Sequence, residues 1–350
     1  SATDEDGTHL QNSLLVPTWA GSDAVFRIAP GGAVLGQFGA ASGLDDQAEL
    51  VVGPDGNVYV TSMSTGTVKR FAPDGSFLGD FIGASSTLGM PGGLGFGPDG
   101  NLYVVSYDHA SVLRYDGTTG ALLGSFVTAG SGGLSQPLGI AFGPDGDLYV
   151  TSRGPDAIMR YDGTTGAFVG VFVAPGVNGP NSPEDITFGP DGNLYVANLG
   201  DSTVRRYDGA TGAWLGDFVT AGSGGLSGPA GLAFGPDGHL YVGSQNTDSI
   251  KRYDGATGAF LDDYVAPGAG GLDSPAYFNF LAQHRVSVAA AQPPVATPSG
   301  AIATFTENGS AVALDPALTV TDADNATLVG ATLRIATNYA SGQDTLAFVA

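Results

Sequence analysis

The chain has 350 residues, 42% of them hydrophobic and 13% charged, with a formal net charge of −22 and no cysteine. Those values exclude a disordered chain, a disulfide framework and a cysteine-held metal. With 12 Lys and Arg against 34 Asp and Glu, and no apolar run near the roughly 20 residues of a membrane helix, neither a nucleic-acid partner nor membrane insertion is expected.

The opening SATDEDGTHL lacks the basic and hydrophobic regions of a signal peptide, so any such leader has been removed or was never there. From there on the 57 Gly and 21 Pro recur at fixed offsets, as turn punctuation does. The block GPDGNLYV, or a near copy, starts at Gly53, Gly97, Gly143, Gly189 and Gly235, spaced by 44, 46, 46 and 46 residues. That period is a propeller blade. Each copy predicts four short strands; in the third full repeat these are Leu138 to Phe142, Leu148 to Ser152, Ala157 to Tyr161 and Ala167 to Val173. Pro-Asp-Gly between the first two fits a hairpin, and Asp-Gly-Thr-Thr-Gly does the same between the last two.

The Leu-Tyr-Val type of second strand occurs six times, beginning at Leu14, Val58, Leu102, Leu148, Leu194 and Leu240. The first copy lacks an innermost strand, and Ser274 to Leu281 occupies the matching register at the other end. Pairing these termini would close the ring and remove its sheet edges. The expected fold is therefore all-β: a six-bladed β-propeller over residues 1–281, a Pro/Ala/Ser linker over 282–300 and a partial β-sandwich module over 301–350.

The unit NLYVANLGDSTVRRYDGATGAWLGDFV resembles the NHL repeat, and more loosely the repeats of streptogramin lyase and SMP-30/gluconolactonase propellers; the likeness covers residues 10–281. Such propellers serve mostly as binding platforms, with a minority of enzymes, so the resemblance implies a surface rather than a reaction. The tail resembles the opening of bacterial cadherin-like, Ig-like surface modules, through Thr306-Glu307-Asn308-Gly309, Thr321 to Asn325 and Gly342 to Leu346. Together these imply a secreted or cell-surface bacterial protein.

The repeat supplies its own standard for discounting residues. Ten aspartates, Asp55, Asp99, Asp145, Asp191, Asp237, Asp74, Asp116, Asp162, Asp208 and Asp254, are turn formers that need no ligand. Arg27, Arg70, Arg114, Arg160, Arg206 and Arg252 share one position of the third strand, where pairing with carboxylates of the neighbouring blade is expected. Of four histidines only His109 falls in a loop between second and third strands. Streptogramin-lyase-like activity would need more than one His near the axis, which counts against it.

What remains lies where the repeat breaks. Two residues after the inner-strand Pro, three repeats have Gly93, Gly139 and Gly231, whereas two have Glu49 and Asp185, and Tyr277 takes the place in the closing strand. Glu184, Asn198 and the loop residues Asp45, Asp46 and Asp201 belong to the same end. SMP-30-like propellers hold a divalent metal with acidic, Asn and Asp side chains near the axis, so the resemblance makes this set a candidate Ca²⁺ or polar-ligand site. The bland alternative is solvated polar residues at a channel mouth. Asp322, Asp324 and Asn325 have the alternating spacing of a Ca²⁺ loop, or of a plain Asx turn. No cofactor beyond Ca²⁺ is suggested.

Three functions stay open: a propeller that binds a protein or glycan through its loop face, a metal-dependent lactonase or lyase, and a structural subunit that self-associates by adding strands to its C-terminal module.

Overall fold

The computed structural model describes residues 12–19 and 23–281, with the backbone of two further strands, Val295–Thr297 and Thr319–Thr321. The chain divides into two compact units, Ser1–His284 and Arg285–Ala350. In the second, Val295–Thr297 pairs antiparallel with Thr319–Thr321, so the stretch expected as a linker contributes a strand. The rest of the expected sandwich, including Asp322, Asp324 and Asn325, lies outside the described residues.

The first unit is a six-bladed β-propeller of four-stranded antiparallel sheets, with no α-helix among the described residues. Blade 1 contains Leu14–Pro17, Val25–Ile28 and Val34–Phe38, and blades 2 to 6 span 47–82, 91–127, 137–173, 183–219 and 229–265. Closure runs as the sequence predicts. Leu14 pairs with Phe280, Leu15 with Asn279, and Thr18 bridges Pro275. Blade 4 uses the same register, Phe142 opposite Leu148 and Pro137 opposite Ser152. The regular closing strand is only Asn279–Phe280, shorter than the eight-residue segment expected.

In blades 2 to 6, blade-to-blade packing rests on one tyrosine of the second strand; blade 1, with Leu14–Pro17, has none. Tyr149 presents its ring edge-on to Phe172 of its own outer strand at 4.8 Å and to Phe188 of the next blade at 5.0 Å. Tyr59, Tyr103, Tyr195 and Tyr241 repeat the arrangement. Each buried ring contributes roughly 1.5–3 kcal/mol of hydrophobic stabilisation. The phenol needs an acceptor there, and the Pro-Asp-Gly turn provides one: Tyr149 donates to Asp145 Oδ2 at 2.9 Å, while Asp145 Oδ1 accepts the Asp147 amide at 3.1 Å. One short side chain thus shapes the hairpin and satisfies the core tyrosine.

The third-strand arginines correct an expectation. Arg114, Arg160, Arg206 and Arg252 pair with Asp99, Asp145, Asp191 and Asp237 of their own blades, at 3.8, 2.8, 3.9 and 3.6 Å. The cause is register: Arg160 lies opposite Tyr149, so its guanidinium reaches the turn that holds that tyrosine's hydroxyl. Arg27, in the blade without such a turn, donates instead to Pro73 O of blade 2 at 2.6 Å.

Candidate functional site

At the axis each inner strand meets the next, and the residue two positions after its first decides how. Where that residue is glycine, backbone packs on backbone: a Cβ on Gly93 would lie 2.3 Å from Leu138 O, on Gly139 2.7 Å from Glu184 O, and on Gly231 2.6 Å from Ala276 O. Where it is acidic, a side chain bridges the gap. Glu49 Oε2 accepts the Leu94 amide of blade 3 at 3.1 Å, and Asp185 Oδ2 accepts the Leu232 amide of blade 6 at 2.9 Å. Both amides belong to the innermost strand of their blade, whose axis-facing edge has no partner strand, so an acceptor must come from outside the sheet. At the sixth junction the Tyr277 amide donates to Ala48 O at 3.2 Å.

Glu49 and Asp185 come from blades 2 and 5, which face each other across a six-membered ring. Asp185 is 5% exposed, and its other oxygen accepts its own chain's Ile186 amide at 2.7 Å. Burial pushes its pKa up to about 7 against the pull of these two amides, with the Glu184 charge adding to the rise. Burial of the Glu49 carboxyl, and then the facing Asp185 charge, raise that group well above the ordinary range.

Glu184, 2% exposed, joins the axis to the loop face. Its Oε2 accepts a hydrogen bond from the Tyr277 hydroxyl at 2.7 Å, and Arg153 of blade 4 lies 3.1 Å from Oε1 as an ion pair without an aligned hydrogen bond. Burial raises the Glu184 pKa, while Tyr277 and Arg153 lower it. Tyr277 is fully enclosed; burial and the neighbouring Glu184 hold its phenol well above its usual value. Expecting solvated polar residues at a channel mouth was therefore wrong for Glu184 and Asp185, which are core groups.

Other residues singled out from the sequence do not join this cluster. Asn198 is the buried last residue of a second strand; its Oδ1 accepts the Asn181 amide at 3.0 Å and its Nδ2 donates to Thr203 at 3.2 Å. Asp201 pairs with Arg205 at 2.7 Å. Exposed Asp45 and half-buried Asp46 lie in the connection from blade 1 to blade 2, on the loop face. His109 Nδ1 lies 3.0 Å from Ser106 Oγ and 3.6 Å from Asp108. That trio has the residue types of a hydrolytic triad, but Ser106 donates its hydrogen to Leu88 O at 2.6 Å, as Ser152 and Ser244 do to the equivalent carbonyls. Its role is architectural.

Three residues escaped the sequence reading. Arg153 is the one cation in the loops between second and third strands, a signal visible on comparing those loops. Trp19 and Tyr107 pack on a cluster of Ala48, Met63, Leu138, Ala276 and Tyr277 drawn from three blades, which forms an apolar floor at the loop-face end. Nothing in the repeat marks them.

The axial set does not fit a resident divalent cation. Both Asp185 oxygens, one of Glu49 and one of Glu184 already accept hydrogen bonds, Asn198 is turned into its own blade, and among the described residues no three His, Asp or Glu side chains are grouped to hold a metal.

No protein-family model matches the chain, and no curated protein matches it in sequence. Solved structures do. A chain of a nidogen/laminin complex is similar over 77% of this chain and 98% of its own, at 19% identity and a TM-score of 0.61. A Bacteroides caccae protein of unknown function gives 77% and 98%, at 15% identity and 0.60. A catalytically inactive variant of Staphylococcus aureus virginiamycin B lyase, solved with quinupristin, gives 77% and 92%, at 17% identity and 0.56. The likeness is one of fold. It joins this propeller to an enzyme and to a laminin complex alike.

Proposed function

We propose that this chain is an extracellular binding propeller whose loop face recognises a protein or a glycan, with residues 301–350 belonging to a module that displays it. The observation that carries this reading is the use made of the off-pattern carboxylates. Glu49 and Asp185 supply hydrogen bonds to inner-strand amides, so the axis is held as core and the variable chemistry is left to the loops. The tail's likeness to surface modules supports a secreted setting.

The test is a screen of the intact chain against glycan and extracellular-protein arrays, followed by substitution. A ligand should lose binding in Tyr107→Ala and His109→Ala and keep it in Asp162→Asn on the opposite face. Metal-dependent lactone or lyase turnover that disappears in Asp185→Ala would overturn the reading in favour of an enzyme.

A further inference from the structure

The six outer strands form the rim of the propeller, and each has a partner strand on one side only, so its other edge carries unpaired main-chain donors and acceptors. One pair of positions guards most of this rim. Facing each other on the third and outer strands stand Lys69 and Asp80 in blade 2, Arg205 and Asp217 in blade 5, and Lys251 and Asp263 in blade 6, ion-paired at 2.9, 3.2 and 2.7 Å. A charge on an edge strand blocks edge-to-edge pairing with another chain. Blades 1 and 3 lack the cation but keep a polar residue on the edge, Gln37 opposite Phe26 and Ser125 opposite Leu113.

Blade 4 has neither member of the pair. Met159 lies opposite Val171, and the outer strand Phe168–Val173 reads FVGVFV, with no polar side chain. An edge valine beside a buried lysine would leave that cation unpaired, so the two positions are apolar together. Met159 is buried as Lys251 is, but Val171 stays 46% exposed and Val169 53%. Next to these valines, against Ala210 and Thr211 of the blade 5 hairpin, lies a cavity of about 170 Å³, room for one aromatic ring. Blade 4 thus has an edge that is open, uncharged and notched.

We propose that this edge pairs with the same edge of a second copy of the chain, the two Phe168–Val173 strands running antiparallel about a two-fold axis near Gly170. Charge selects this occupant and this blade. A two-fold contact brings each residue near its own counterpart, so position 171 of one strand falls within about 5–8 Å of position 171 in the other. Asp80, Asp217 or Asp263 at that place would meet a like charge; Val171 meets a valine. With a net charge of −22, two copies repel wherever acidic surfaces approach, and the uncharged edge of blade 4 is where that repulsion is least. Six residues of strand bury less than a standard interface, so the pairing is weak, with a dissociation constant in the micromolar range. A rim contact leaves the loop face of both copies open, so the inference stands apart from the loop-face reading.

Sedimentation velocity of the full chain over a series of concentrations reads the pairing. A dimer should form as concentration rises through the micromolar range and should strengthen as salt is raised, the reverse of a contact held by opposite charges. Val171→Asp should weaken association about tenfold or more. Met159→Lys combined with Val171→Asp rebuilds the pair that blade 6 carries as Lys251 and Asp263, and should weaken association equally while thermal melts show a folded chain. Val171→Lys makes the net charge less negative and should weaken association all the same, because the like charge is local. The acid placed on another edge, as Gln37→Asp in blade 1 or Ser125→Asp in blade 3, should leave association within about twofold. A chain that stays monomeric at every concentration and salt overturns the proposal. So does a dimer indifferent to Val171→Asp, or one weakened as much by Gln37→Asp or Ser125→Asp.

Discussion

The Tyr277 hydroxyl donates to Glu184 Oε2 at 2.7 Å, tying the segment that closes blade 1 to the inner strand of blade 5 across the channel. Only two residues of that segment form regular strand; backbone bonds such as Ala276 N to Pro17 O and Leu281 N to Ser13 O hold it to blade 1, and the Tyr277 hydroxyl adds a side-chain tie to blade 5. Tyr277→Phe keeps the ring and removes the donor, leaving a buried Glu184 oxygen without its partner. A loss of about 1–3 kcal/mol is expected in denaturant unfolding. Glu184→Gln should cost as much or more, since Arg153 would lose its counter-charge as well. An unchanged midpoint in Tyr277→Phe would mean that closure rests on the strand ladder alone.

The axial carboxyls make stability depend on pH in a direction opposite to that of an ordinary ion pair. The Asp185 pKa rises from 3.8 to about 7 on folding, chiefly through burial, so between those values the folded chain holds more protons than the unfolded one. Stability from this group is present at low pH and is lost as pH climbs towards and through about 7. Unfolding free energy should therefore fall from mildly acidic to mildly alkaline solution by an amount on the order of 3 kcal/mol. Asp185→Asn should flatten the profile, because the amide carries no titrating proton and still offers an oxygen to the Leu232 amide. A profile unchanged in this variant would assign the pH dependence to other groups.

The fold was legible because the repeat states it many times over: turn, strand and closure signals agree at each of the six Leu-Tyr-Val strands, and the register at Phe280 follows from that at Phe142. The off-pattern Glu49 and Asp185 were equally visible. Their use was not, because it depends on how closely the inner strand of one blade approaches the axis-facing edge of the next, which sequence periodicity does not show. The arginine partners were misassigned for a related reason, since the spacing from Asp145 to Arg160 conceals that the hairpin folds them together. Tyr107 stands at a loop position that varies from blade to blade, as Met63, Arg153, Leu199 and Gln245 do, and Trp19 lies in the longer loop of blade 1, so the repeat set no standard for either.

Asp145 should be worth more than its appearance as a turn residue suggests. It accepts the Asp147 amide and the Tyr149 hydroxyl and pairs with Arg160, whereas Asp162 in the next hairpin of the blade serves only its own turn, through the Thr164 and Thr165 amides and the Thr165 hydroxyl. Asp145→Ala strands a core phenol, so a cost of about 2–3 kcal/mol is expected, against about 1 kcal/mol for Asp162→Ala. Equal losses would show that the turn contribution dominates in both.

The inner-strand glycines give the sharpest steric contrast. Gly139 sits where a Cβ would lie 2.7 Å from Glu184 O and 2.8 Å from Asp185 Cα, both main-chain atoms that cannot rotate aside. Gly139→Ala must push blade 4 away from blade 5 at the axis, and with it the strand that holds Asp185 against the Leu232 amide. Overpacking of this kind costs about 1–3 kcal/mol. Gly170, in the outer strand of the same blade, has no heavy atom within 4 Å of an added Cβ, so Gly170→Ala should stay within about 0.5 kcal/mol of the parent chain. Thermal unfolding of the two variants side by side separates close approach at the axis from a general intolerance of side chains at glycine positions. A Gly139→Ala variant as stable as Gly170→Ala would show that the inner strands are free to spread, and the bridging role of Glu49 and Asp185 would then lose its steric basis.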